Sequence, residues 1–225
     1  MTTVTQLEQH DIERMVKPDS PWDAIRRRFT GRYQIDPFGL DPQLSDLLRP
    51  AVSFAVKVDV QGGEHVPMTG PATIVSNRGF GAFEPAAMGI AVEHATGRRL
   101  RFVGAPAVPF LGTITRRFGA IAASQEDVGA ALRAGHLVGV SLSQTWLRVD
   151  AGMPPHTLMP AITHAQIIPA AVTPNGPFGL ALNGWTVRFG SFVTLDEDYD
   201  PDDPLAAARF TDAMRIAVRA LLSES

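Results

Sequence analysis

Two serines, Ser141 and Ser143, are placed where nucleophilic chemistry is plausible. They fall at the carboxyl end of a predicted central strand, which is where open α/β sheets bind their ligands. A serine nucleophile needs a base within hydrogen-bond reach. His136 falls at the opposite end of the same strand, and the chain lacks the Gly-x-Ser-x-Gly elbow. The pattern therefore argues against a serine hydrolase.

The candidate metal ligands in the sequence are also weak. His156 and His164 are eight residues apart, which matches neither a zincin nor a Cys/His finger. The chain contains no cysteine, so it forms no thiolate metal site and no disulfide. We predict no metal and no cofactor.

Composition limits the class of protein. With 225 residues, 45% of them hydrophobic, the chain can build one good core. A net charge of −3 argues against a nucleic-acid partner. The N-terminus lacks the layout of a signal peptide, and no apolar run reaches the ~18 residues of a membrane span. We expect a cytoplasmic protein, at most peripheral to the membrane.

The segments that must position these residues alternate between strand and helix patterns. Such alternation predicts an α/β fold with a mostly parallel central sheet flanked by helices. Strands are predicted at residues 54–60, 72–76, 100–103, 120–122, 137–142 and 165–173. Helices are predicted at residues 42–54, 84–95, 110–118 and 126–134, and a short one at 21–25.

The C-terminal part has a different pattern. Residues 180–182 and 185–187 flank Asn183-Gly184, which predicts a hairpin with a two-residue turn. Asp203 precedes Pro204 and predicts the start of a last helix. We therefore expect a polar leader at residues 1–20 and a single domain at 21–225.

Five segments, in this order along the chain, carry a resemblance. They are Val58–Pro67 with Gly-x-Glu-x-Val-Pro, Ala72–Arg78 with Ser-Asn-Arg, the two short blocks Pro109–Gly112 and Phe118–Ile121, Leu132–Val140, and Ile167–Val172. On these motifs the chain resembles the lysophospholipid (1-acylglycerol-3-phosphate) acyltransferase family. Residues 31–41 look like the leader of an actinobacterial subgroup of that family. The resemblance implies a glycerolipid-acyltransferase-like fold.

The resemblance also implies a catalytic pair that this chain lacks. The family uses a histidine as general base, five residues before an aspartate that orients it. Arg78 stands at the histidine position, and a guanidinium stays protonated at working pH. Phe83 stands at the aspartate position. Glu84 is adjacent, so an Arg78–Glu84 ion pair could replace the dyad, either bracing the turn or serving a changed function.

A second family motif, Phe-Pro-Glu-Gly-[Thr/Ser]-Arg, is changed as well. In its place the chain reads Ser141-Leu142-Ser143-Gln144-Thr145-Trp146. Ser143 replaces the glutamate and Gln144 the glycine. The arginine that binds the acceptor phosphate in many members is also missing after the Gly-Ala-Ile block. Conventional acyl transfer from acyl-CoA is therefore not expected.

Bulky apolar residues occupy these motif segments instead. They are either additional core or the lining of an apolar pocket. The candidate ligand-binding residues are Asn77, Phe80, Phe83, Ser141, Thr145 and Trp146, and the candidate catalytic residues are Arg78, Glu84, Ser143 and Gln144.

Three functions remain open from the sequence. The first is a non-catalytic homologue that binds an acyl chain, a lipid, another apolar small molecule or a partner enzyme. The second is a repurposed enzyme, such as a cyclase-like or shaping catalyst acting on an apolar, polyketide-like substrate. The third is a remodelled but active acyltransferase.

Overall fold

The computed structural model describes residues 26, 35–77, 84–104, 115–142, 165–176, 184–193, 200 and 203–223. Seven strands form one sheet in the order β1-β7-β6-β2-β5-β3-β4. The strands are β1 Val58–Gln61, β2 Ala72–Ser76, β3 Leu100–Val103, β4 Ala120–Ile121, β5 Leu137–Ser141, β6 Gln166–Pro174 and β7 Trp185–Phe189. The helices are α1 Pro42–Ala55, α2 Glu84–Thr96, α3 Gln125–Arg133 and α4 Pro204–Ser223, with a 3-10 turn at Gly63–His65.

Every neighbouring pair of strands is parallel except β6 and β7. The predicted fold class, α/β with a mostly parallel sheet and flanking helices, is confirmed. We call the end of the sheet at which β2, β3 and β5 terminate the carboxyl end, and the opposite one the amino end. Because β1 and β7 run against β2, β1 terminates at the amino end.

Alternating side chains divide the core between the two faces of the sheet. Ile74 and Leu137 face α2 in one buried cluster. Val75 and Val138, one residue further along each strand, lie in a second cluster with α3 and α4. Since successive strand residues point to opposite faces, the continuous apolar runs of β2 and β5 bury both sides. The result is a three-layer arrangement that holds the ends of β2 and β5 rigidly.

Helix α1 begins where Asp41 caps it, with the side chain accepting a hydrogen bond from the N–H of Leu44. The helix continues through Ala55, and the N–H of Val56 still bonds to the carbonyl of Val52. The strand predicted from Phe54 therefore starts too early, because Phe54 belongs to the last turn of α1 and is 86% exposed. The pairing of β1 begins only at Val58.

The predicted C-terminal hairpin is present with a different first strand. Residues 185–187 lie in β7, whose antiparallel partner is β6, with Pro174 opposite Trp185. The other edge of β7 pairs with β1. Both edges of β7 are therefore paired with described strands, and residues 180–182 lie outside the described residues.

The last helix begins as predicted, since the Asp203 carboxylate accepts a hydrogen bond from the N–H of Leu205. Phe210 and Met214 bury its apolar stripe. The leader at residues 1–20 and the short helix at 21–25 lie outside the described residues, as does most of the helix predicted at 110–118. Among the described residues, no helix has the length and apolar character needed to cross a membrane.

Candidate functional site at the carboxyl end of the sheet

The two changed motifs begin side by side at the carboxyl end of the sheet. Ser76, the last residue of β2, lies opposite Ser141, the last residue of β5. The N–H of Leu142 donates to the carbonyl of Ser76 at 2.9 Å, which extends the contact one residue beyond the strands. The segments that start at Arg78 and at Ser143 therefore leave the sheet from adjacent strands.

Asn77 fixes the point at which the chain leaves β2. Its amide nitrogen donates to the carbonyl of Val172 at 2.9 Å, and its oxygen accepts from the N–H of Val172 at 2.7 Å. The backbone ladder between β2 and β6 stops at the pairing of Ser76 with Ala170. The carboxamide thus supplies the donor and acceptor that a further strand residue would have supplied.

Glu84 marks the return of the chain to the same region. It opens α2 and is 6% exposed. A carboxylate in the first turn of a helix is favoured by the helix dipole. The six residues between Asn77 and Glu84 connect the carboxyl end of β2 to the start of α2, so Glu84 lies near that end of the sheet.

The other candidates lie outside the described residues, and their roles stay predictions. They are Arg78, Phe80, Phe83, Ser143, Gln144, Thr145 and Trp146. Of the ten candidates, the structure describes three, namely Asn77, Glu84 and Ser141, and all three belong to the carboxyl-end region.

The histidines that the structure describes are far from Ser141. His136 directly precedes β5, at the amino end, and His94 lies in the last turn of α2. His65 follows β1, which also terminates at the amino end. Five strand residues at roughly 3.3 Å each separate the two ends. None of these three imidazoles can act as a base for Ser141.

The structure also contains a polar cluster that the sequence did not predict. At the amino end, Asp36, Arg98, Arg101 and His136 line a cleft of about 450 Å³. Burial lowers the pKa of His136, and Arg101 and Arg98 lower it further, while Asp36 acts in the opposite direction. Two features of the sequence could have indicated this cluster: the Arg98-Arg99-Leu100-Arg101 run, and Asp36 at the start of the turn at residues 36–39. They are some sixty residues apart in the chain.

Similar proteins are found in mycobacteria, although no protein-family model matches the chain. Uncharacterized proteins of Mycobacterium tuberculosis and Mycobacterium bovis are each 27% identical over 278 residues, which cover 98% of this chain and 77% of the relative. One from Mycobacterium leprae is 28% identical over 255 residues, covering 88% and 69%. The aligned region of 278 residues is longer than this chain of 225 residues. The relatives from Mycobacterium tuberculosis and Mycobacterium bovis therefore carry additional residues inside the aligned region.

Among solved structures, the chain is similar to the 1-acyl-sn-glycerophosphate acyltransferase of Thermotoga maritima. The TM-score is 0.49 at 13% identity, covering 80% of this chain and 78% of that one.

Proposed function

We propose that this protein is a non-catalytic homologue of glycerolipid acyltransferases that binds an acyl chain or a similar apolar molecule at the carboxyl end of the sheet. The observation that carries the proposal is the residue that directly follows Asn77. Arg78 occupies the position of the general base, and a permanently protonated guanidinium cannot take a proton from an acceptor hydroxyl.

The geometry of the described residues supports an ordered binding site that lacks the catalytic groups of the acyltransferase family. Asn77 is held by two hydrogen bonds to Val172, so the strand end beside Arg78 is in a fixed place. Ser76 and Ser141 pair in register at the same end. A chain that had lost its function without gaining another would not be expected to retain this junction.

The apolar residues of the two motif segments favour an apolar ligand. Phe80, Phe83 and Trp146 follow directly from strands that end at this junction. Small-molecule sites are mostly apolar with a few placed polar groups. Arg78 and Gln144 would donate hydrogen bonds to a ligand carboxylate or carbonyl, and Glu84, which only accepts, would pair with Arg78.

The proposal is tested with the purified full chain in two assays. We expect no acyl transfer from acyl-CoA to lysolipids or alcohols, and saturable binding of a long-chain fatty acid by titration calorimetry and native mass spectrometry. Phe80→Ala is expected to weaken that binding by about tenfold, since burying an aromatic side chain contributes roughly 1.5–3 kcal/mol. Phe54→Ala, at an 86% exposed position on α1, is the matched control and is expected to bind normally.

Three results would overturn the proposal. Acyl transfer by the wild-type chain that Arg78→Ala abolishes would show an active, remodelled acyltransferase. Failure of the wild-type chain to bind any fatty acid or acyl-CoA, or equal losses in Phe80→Ala and Phe54→Ala, would remove the apolar site.

A further inference from the structure

We propose that the cleft at the amino end of the sheet is a binding site for a small phosphate-bearing anion. Its described lining includes Asp36, Arg98, Arg99, Arg101 and His136, and its volume is about 450 Å³. This volume lies within the range of small-molecule sites, so it accommodates a phosphate ester as well as free phosphate. The site lies at the opposite end of the sheet from the proposed acyl-chain site and does not depend on it.

Arg101 provides the main reason for the assignment. It is 4% exposed, and its only hydrogen-bonded partner among the described residues is Asp36, through Nη2. Its Nε and Nη1 atoms are buried and have no hydrogen-bond partner within the described part of the chain. A buried charged donor without a partner is costly, because it has lost its hydrogen bonds to water and gained none in return. These atoms are closed to solvent, so an anion that enters from the cleft satisfies them once the side chains that cover them shift.

Asp36 can supply at most one of the two missing acceptors, because three of the roughly four acceptor positions of its carboxylate are already used. One oxygen accepts from the N–H of Phe38 at 2.9 Å and from that of Leu40 at 2.8 Å. The other oxygen pairs with Arg101. Asp36 therefore orients the guanidinium and leaves at least one of its remaining donors for a further ligand.

Arg98 cross-links the loops that surround the cleft and adds a second positive charge. It donates to the carbonyls of Pro67 at 2.8 Å and of Gly70 and Gly135 at 2.6 Å. Carbonyl acceptors are neutral, so its positive charge is not cancelled by a carboxylate. The loops before β2, β3 and β5 are thus fastened together around the cleft.

The balance of charge selects an anion. Arg98, Arg99 and Arg101 face two carboxylates, Asp36 and the Asp46 that pairs with Arg99 at 2.6 Å. His136 packs edge-on against Phe38 at 5.4 Å between ring centroids, and Arg101 lies over the same ring at 5.7 Å. With a neutral imidazole, the lining together with Asp46 carries one net positive charge. Arginine donors match phosphate oxygens in both charge and geometry.

The test is a titration of the full chain with inorganic phosphate at constant ionic strength. We expect saturable binding that Arg101→Lys weakens by about tenfold or more, since a lysine keeps a charge for Asp36 and loses the Nε and Nη1 donors. Arg133→Gln removes an exposed arginine from the end of α3 and is the matched control. It is expected to bind within about twofold of wild type.

A second measurement uses the wild-type chain alone and so does not depend on variants that fold. Phosphate in the cleft would stabilise the imidazolium of His136, so its proton NMR titration is expected to move to higher pH. The other five histidines serve as internal references. The groups that face His136 are Arg98, Arg101 and Asp36.

The source of the phosphate group is separated by a third titration, with vesicles of phosphatidylcholine alone or with phosphatidate added. Binding of free phosphate indicates a soluble phosphate ester. Binding of only the phosphatidate vesicles, weakened by Arg101→Lys, indicates a lipid headgroup. The proposal is overturned if neither probe binds, if Arg133→Gln loses as much affinity as Arg101→Lys, or if the probe that binds does not move the His136 titration.

Discussion

Replacing Asn77 by alanine is the most direct test of how the carboxyl-end junction is held. The change removes both hydrogen bonds to Val172, at 2.9 and 2.7 Å. A net contribution of roughly 0.5–1.5 kcal/mol for each predicts a loss of about 1–3 kcal/mol in the free energy of unfolding. The upper half of that range is expected, because the N–H and carbonyl of Val172 face the space beyond the end of β2 and lose their partners.

The measurement is equilibrium unfolding in urea followed by tryptophan fluorescence, because Trp185 is fully buried in β7. The control is Asn175→Ala, which removes one exposed hydrogen bond from the Thr186 hydroxyl at 2.8 Å. We expect this control to cost less than about 1 kcal/mol. Asn77→Asp should be no better than Asn77→Ala, since it places a carboxylate oxygen against the carbonyl of Val172.

The reasoning is refuted if the free energy of unfolding of Asn77→Ala lies within about 0.5 kcal/mol of the wild-type value. It is also refuted if Asn77→Ala is at least as stable as Asn175→Ala. Either result would mean that the two hydrogen bonds contribute nothing to holding the junction. Asn77 would then be available to a ligand, as the sequence predicted.

Three further predictions concern the rest of the fold. Burial holds the pKa of His136 below its usual value near 6.5, so the unfolded chain takes up a proton first as the pH falls. The wild type therefore loses stability below about pH 6.5. His136→Gln should show a smaller drop in Tm between pH 7.5 and 5.5, and equal drops would contradict this. Gly62→Ala would overlap the carbonyl of Phe189, so we expect it to cost about 1–3 kcal/mol more in urea unfolding than Gly97→Ala, which has a similar φ and open space. Ser124→Ala removes the cap of α3 and should cost about 1 kcal/mol by the same assay, whereas an unchanged midpoint would show that the cap is dispensable.

Much of the fold could be predicted because its elements depend on local patterns. The apolar runs that became β2 and β5 are buried on both faces, which is the property that such runs indicate. The strand order could not be predicted, because the position of β7 between β1 and β6 depends on pairing between distant segments. For the same reason the Asn183-Gly184 turn signal could not indicate that β7 pairs with β6 and β1.

The two ends of the sheet differ in how well the sequence indicated them. The carboxyl end was predictable, because parallel strands terminate together and the motifs directly follow β2 and β5. The amino-end cleft was not, because Asp36 and His136 are separated by 100 positions and the segments that contain them carry no signal that they meet. Only the buried position of Arg101, with donors left over, distinguishes this cleft from an ordinary charged surface.

Residues 35–41, the described part of the segment at 31–41, have packing contacts that do not require a role in chemistry. Asp36 pairs with Arg101 on β3, and Asp41 caps α1 while its N–H bonds to the carbonyl of Arg117 at 3.1 Å. The Asp36 carboxylate and the Asp41 N–H thus attach these residues to the strand and turn beneath them, and Asp41 is fully buried. These contacts account for the position of residues 35–41 at the amino end. They give no information about the carboxyl end, where the role of Arg78 stays a prediction.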